Sequence, residues 1–139
     1  MYSLKIEHSF DGAHFLAGYQ GKCSNIHGHR WRVEVEVQAD KLIESGEYAG
    51  MVVDFSILKD TLRKLIEPYD HVLIIEAGMM REATLNHLIA DQFAIALVNF
   101  RPTAENFAAH IYRELKRADL AVKRVTIYET PTNSAIYEE

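Results

Sequence analysis

Residues 4 to 10 alternate in character, with Leu4, Ile6, His8 and Phe10 set against Lys5, Glu7 and Ser9. A period of two marks a half-buried strand. Asp11-Gly12 is then expected to supply a turn or bulge, and residues 16 to 26, with Gly18 and Gly21, read as a loop. From Trp31 the alternation resumes: Trp31, Val33, Val35 and Val37 against Arg32, Glu34, Glu36 and Gln38, a second strand whose valine stripe is core. Past Gly46 and Gly50, Asp54 can cap a helix with Phe55, Leu58, Leu62, Leu65 and Ile66 at helical spacing, ended by Pro68. Its other face, Lys59, Asp60, Arg63, Lys64 and Glu67, is solvated. Val72-Leu73-Ile74-Ile75 gives a third strand.

Residues 78 to 100 are weakly patterned. Glu82 to Ala90 reads as a short helix, and Phe93 to Asn99 as a strand with Phe93, Ile95 and Leu97 on one face. Thr103 is positioned to cap a second strong helix with Phe107, Ala108, Ile111, Leu115 and Ala118 as its buried stripe. Val125 and Ile127 then alternate with Arg124, Thr126 and Tyr128, Thr130-Pro131 breaks that strand, and Ser134 to Tyr137 form a short last one. The order predicts an α+β domain, an antiparallel sheet with two main helices on one face.

At 139 residues, 48% hydrophobic and 25% charged, the chain is one globular domain spanning 1–139, with no repeat or linker to divide it. A net charge of −5 argues against a general nucleic-acid binder, which needs surplus Lys and Arg against phosphates. A single cysteine forms no internal disulfide and suits a reducing compartment. No apolar run approaches the length of a membrane span or a signal peptide, so a soluble, cytoplasmic protein is expected.

The chemistry concentrates in Cys23-Ser24-Asn25-Ile26-His27-Gly28-His29, with His14 upstream. Side chains two apart on an extended segment share a face, so His27 and His29 can share one ion, and His14 can complete a three-histidine set. Three neutral nitrogen ligands suit zinc and leave a fourth position open, the catalytic arrangement. The spacing leaves open whether Cys23 is a ligand or a catalytic group. Asp70-His71 stands at the mouth of an apolar strand, where a carboxylate can fix an imidazole for proton transfer. Glu129 continues the apolar face of its strand; there a carboxylate is paired, functional, or at a frayed strand end. His8 belongs to a strand's inner face and is not counted as a ligand.

Taken in order, Phe10-Asp11-Gly12-Ala13-His14, Gly21-Lys22-Cys23 through His27-Gly28-His29, Val53-Asp54-Phe55, Asp70-His71, Pro102-Thr103-Ala104-Glu105-Asn106 and Glu129-Thr130 resemble the 6-pyruvoyl-tetrahydropterin synthase and 6-carboxytetrahydropterin synthase family nearly end to end. The resemblance implies the tunnelling fold, with subunits joining their sheets into a barrel, active sites between subunits, and a homohexamer of two trimers. It also implies zinc on His14, His27 and His29, with Cys23 as catalytic base or acid and Asp70 and His71 as a proton-transfer pair. Glu129 would hold the pterin ring, with Thr103 and Glu105 lining the same pocket. The expected substrate is 7,8-dihydroneopterin triphosphate. The bacterial queuosine-pathway reaction to 6-carboxytetrahydropterin, acetaldehyde and triphosphate is favoured over loss of triphosphate to 6-pyruvoyl-tetrahydropterin. A non-catalytic zinc- and pterin-binding protein on the same fold is the competing reading from another class. GTP cyclohydrolase or dihydroneopterin aldolase chemistry is less consistent with one cysteine beside three histidines.

Overall fold

A computed structural model describes all of residues 1–139. Nine principal elements follow in order: β1 (Tyr2–His14), β2 (His27–Ala39), α1 (Phe55–Ile66), β3 (Val72–Glu76), α2 (Glu82–Ala90), β4 (Ile95–Val98), α3 (Ala104–Arg117), β5 (Val122–Thr130) and β6 (Asn133–Tyr137). Short 3₁₀ turns cover Lys22–Ser24 and Glu67–Tyr69. The strands form one six-stranded sheet in the order β4-β3-β1-β2-β5-β6.

The sheet is mixed rather than antiparallel throughout. β1–β2, β2–β5 and β5–β6 are antiparallel, whereas β3 runs parallel to β1 and β4 parallel to β3. The cause lies in the connections. From β2 the chain passes through α1 and lays β3 antiparallel to β2, hence parallel to β1, while the helical crossover through α2 returns β4 parallel to β3. A third helix, α2, therefore joins the two strong ones, although it buries none of its residues.

The strongest patterns hold up in detail. Ile6, Phe10, Trp31, Val33, Val35, Val37, Val125 and Ile127 form the inner face of the sheet, covered by Leu58, Leu62 and Ile66 of α1 and by Phe107, Ala108, Ile111 and Leu115 of α3. Asp54 caps α1 by accepting from the Ser56 N–H at 2.6 Å, and Thr103 caps α3 by accepting from the Asn106 N–H at 3.3 Å. Phe55 is nevertheless exposed, and the stripe of α3 ends at Leu115, because Ala118 is already its C-cap. In β4 the strand is shorter than expected: Phe93 precedes it, Leu97 is exposed, and Val98 is its buried residue.

No turn forms at Asp11-Gly12. β1 continues without a bulge to His14, paired residue by residue with β2. Gly12 serves a close approach instead. A Cβ there would stand 3.0 Å from the Tyr69 carbonyl oxygen and 3.1 Å from Ile74, so its absence lets the Glu67–Tyr69 turn cross tightly over the strand.

Truncation of the fully buried Leu62 leaves a cavity remote from the histidines. Leu62→Ala should lower unfolding free energy by about 2–5 kcal/mol, read as a reduced urea midpoint at unchanged m-value.

Candidate metal centre

The β1–β2 ladder puts His14 directly opposite His27 and Gly12 opposite His29, so strand alternation turns all three imidazoles to one face. Trp31 forms their floor, edge-on to His14 at 4.9 Å and to His29 at 5.4 Å between ring centroids. His14 is buried and the other two partly so. The ring nitrogens His14 Nδ1 and His27 Nδ1 each lie 2.7 Å from a backbone carbonyl, of Pro102 and Asn25 respectively. A carbonyl only accepts, so both Nδ1 atoms carry the proton and both Nε2 atoms present lone pairs.

Those two Nε2 atoms are 3.1 Å apart. Two lone pairs face each other there, and only a proton or a cation makes the contact favourable. The proton is disfavoured. Burial, reinforced by the neighbouring imidazoles and opposed by the Pro102 contact, holds the His14 pKa down to about 4. Burial also lowers that of His29, against the pull of Glu129. The third nitrogen, His29 Nε2, is buried with no hydrogen-bond partner; Glu129 Oε1 stands 3.5 Å away, outside hydrogen-bonding geometry. All three ligand atoms lie within 4.8 Å of one another. An orphaned donor set of neutral nitrogens fits a divalent cation, and these three histidines can bind one.

Cys23 sits in the Lys22–Ser24 turn, partly buried, and is not a member of the nitrogen cluster. Its loop is fixed by the Leu16 N–H donating to the Cys23 carbonyl at 2.9 Å and by the Ser24 hydroxyl donating to the Gly21 carbonyl at 2.8 Å. Arg101 donates to the Ala17 carbonyl and ties the same loop to the approach of α3. The Pro102 carbonyl orients His14, the Thr103 hydroxyl is engaged as the helix cap, and Glu105 is exposed in the first turn of α3.

Asp70 and His71 form a pair, His71 Nδ1 to Asp70 Oδ2 at 2.9 Å, but not beside the triad. They dock on Asp11, whose N–H donates to Asp70 Oδ1 at 2.8 Å and whose carbonyl accepts from the His71 N–H at 2.6 Å. The Asp11 and Arg30 side chains project from the opposite face of the ribbon to His14 and His29. There His71 shares a groove of about 660 Å³ with Asp11 and Arg30, bordered by His29 and walled by Leu73, Leu88 and Phe93. His71 adopts a left-handed backbone at φ 57°, unusual for a non-glycine residue and typical of functional positions. The Asp11 N–H and the His71 ring hold the Asp70 carboxyl below its ordinary range, and Asp70 raises His71 in turn. Pro102, Asn25 and Trp31, which orient the imidazoles, carry no chemical signal in sequence. The Asp11–Arg30 contact is implicit in strand register alone.

The family model for 6-pyruvoyl tetrahydropterin synthase matches residues 3–139. The chain is 39% identical to 6-carboxy-5,6,7,8-tetrahydropterin synthase of Haemophilus influenzae over 142 aligned positions, covering 100% of both chains. To the Synechocystis protein of that name it is 34% identical, with 99% of this chain and 93% of the relative covered. Among solved structures, an uncharacterized protein from Wolinella succinogenes superposes with a TM-score of 0.83 at 22% identity, covering 99% and 98% of the two chains. The 6-pyruvoyl tetrahydropterin synthase of Caenorhabditis elegans gives 0.69 at 23%, covering 99% and 95%. These likenesses fix the fold as the tunnelling fold.

In chelator-treated protein, the depressed pKa of His14 sets a pH dependence. The unfolded chain takes up a proton near pH 6.5 and the folded one only near 4, so stability is fully present above 6.5 and lost as pH falls toward 4. Urea titrations at pH 7 and pH 5 should differ by about 2 kcal/mol from this group, and His14→Leu should lack that part of the slope.

Proposed function

The chain belongs to the 6-pyruvoyl tetrahydropterin synthase family, and we propose that it converts 7,8-dihydroneopterin triphosphate to 6-carboxytetrahydropterin, releasing acetaldehyde and triphosphate. The Haemophilus influenzae and Synechocystis relatives that carry the 6-carboxytetrahydropterin synthase name align along essentially the whole chain. The observation that carries the reading is the convergence of three imidazole nitrogens, two of them turned inward by backbone carbonyls, beside a cysteine-bearing loop. We assign the ion as zinc on His14, His27 and His29, a set of three nitrogens that leaves a position for substrate. When bound, zinc supplies Lewis acidity to the hydroxyls of the substrate side chain and so acidifies the adjoining C–H bonds.

The chain's own residues divide the remaining work. Cys23 exchanges a proton with a side-chain carbon, and His71, oriented by Asp70, serves the other side. Glu129 accepts hydrogen bonds from the pterin amino and ring N–H groups. Thr103 and Glu105, at the start of α3, border the pocket through the adjoining Pro102. Lys22, Arg30 and Arg101 are the candidates to hold the triphosphate; Arg30 is engaged by Asp11 and Arg101 by a carbonyl, which leaves Lys22 beside Cys23.

Within one chain the triad and the Asp70–His71 pair face away from each other across the β1–β2 ribbon. We infer that Asp70 and His71 act at the metal centre of another subunit, in a hexamer of two trimers whose sheets join into a barrel. The sheet ends at β4 and β6, two uncapped edges with free backbone groups that suit such joining. No helix is long and apolar enough to cross a membrane, in keeping with a cytoplasmic enzyme of queuosine biosynthesis.

Zinc-loaded protein incubated anaerobically with 7,8-dihydroneopterin triphosphate should yield 6-carboxytetrahydropterin and acetaldehyde by mass spectrometry. A 6-pyruvoyl product would assign the sibling reaction. Cys23→Ala should retain zinc and pterin binding while turnover falls by about 10²-fold or more; unchanged turnover would remove Cys23 from the chemistry. Co-refolding inactive Cys23→Ala and His71→Ala chains should restore activity at roughly a quarter of the sites, whereas a site built within one chain would stay silent in the mixture.

A further inference from the structure

Asp11 meets the Asp70–His71 dipeptide twice through its backbone, which holds its main chain beside them and keeps its carboxylate within reach. Oxygen atoms of Asp11 and Asp70 and a ring nitrogen of His71 all lie within 4.8 Å of one another. Two carboxylates therefore flank one imidazole, and His71 Nδ1 has a single proton to donate. Arg30, directly opposite Asp11 in the ladder, closes a two-point fork on the Asp11 carboxylate, Nε to Oδ1 at 2.9 Å and NH2 to Oδ2 at 3.0 Å.

We propose that Arg30 is a positioning residue: by occupying the Asp11 carboxylate it leaves His71 paired with Asp70 alone, with Nε2 free for proton transfer. The inference rests on the reading of His71 as a proton-transfer group. The charged groups facing His71 are Asp70 from its own segment, Asp11 from β1 and Arg30 from β2; His29 of β2 also lines the groove, and Leu73, Leu88 and Phe93 are among its apolar walls. Without Arg30, Asp11 becomes a second, unneutralised acceptor for the same ring. The imidazolium is then held by two carboxylates, and the ring is drawn off Asp70. Asp11 acts to raise the His71 pKa and Arg30 to lower it, consistent with this balance.

The test follows the His71 ring proton by NMR against pH in zinc-loaded protein, beside the pH profile of kcat. Arg30→Met should move the His71 titration upward by about half a pH unit, with the corresponding limb of kcat moving the same way. Adding Asp11→Asn to Arg30→Met should return both. Asp11→Asn alone, which strands Arg30 beside the ring, should move the titration down and provides a second reading if Arg30→Met does not fold. A His71 titration unmoved in both folded single variants overturns the proposal. A titration that moves while the kcat profile stays put upholds the role of Arg30 and instead removes His71 from the proton-transfer step.

Discussion

The antiparallel ladder between β1 and β2, thirteen residues on each strand from Tyr2 opposite Ala39 to His14 opposite His27, turns the three imidazoles to one face and sets Asp11 opposite Arg30. Its register admits no bulge over its length. A slip of one residue would send His27 and His29 to the outer face and bring Arg30 and Gly28 inward. The same register places Trp31 beneath the imidazoles and stacks it on Phe10 at 5.9 Å, so the core that stabilises the sheet is also the floor of the site. Core packing and ligand geometry are thus one constraint read at two ends of the same strands.

The ladder aims the imidazoles, and backbone carbonyls then choose their tautomers. Pro102 and Asn25 each take an Nδ1 proton, and the resulting opposition of lone pairs stores an unfavourable contact that a cation relieves. Two of the three imidazoles are thus aimed by the protein's own hydrogen bonds. Across the ribbon the logic is reversed. Asp70 and His71 are held by Asp11 and lie toward solvent, with His71 in a left-handed backbone conformation.

Much of this was legible in the sequence, for physical reasons that differ from element to element. The valine stripe of β2 and the apolar spacing of α1 and α3 fix burial because each element has one face in the core. His27 and His29 share a face for the same reason that Val33 and Val35 do. Gly12 misled because glycine signals both turns and close approaches, and only the distant Tyr69 carbonyl decides between them. Phe93, Ile95 and Leu97 do not act as one buried face because β4 is a short edge strand that begins only at Ile95 and buries Val98. The opposed placement of the triad and Asp70–His71 could not be read at all: it depends on β3 entering parallel to β1.

The Pro102 carbonyl joins residues 88 positions apart in the chain. All three imidazoles have been synthesised by residue 29, yet the tautomer of His14 is undetermined until the segment leading into α3 has emerged and docked. A growing chain thus carries a metal-binding sequence long before it carries a metal-binding geometry. The finished geometry at His14 therefore depends on contact between the N-terminal hairpin and the segment that leads into α3.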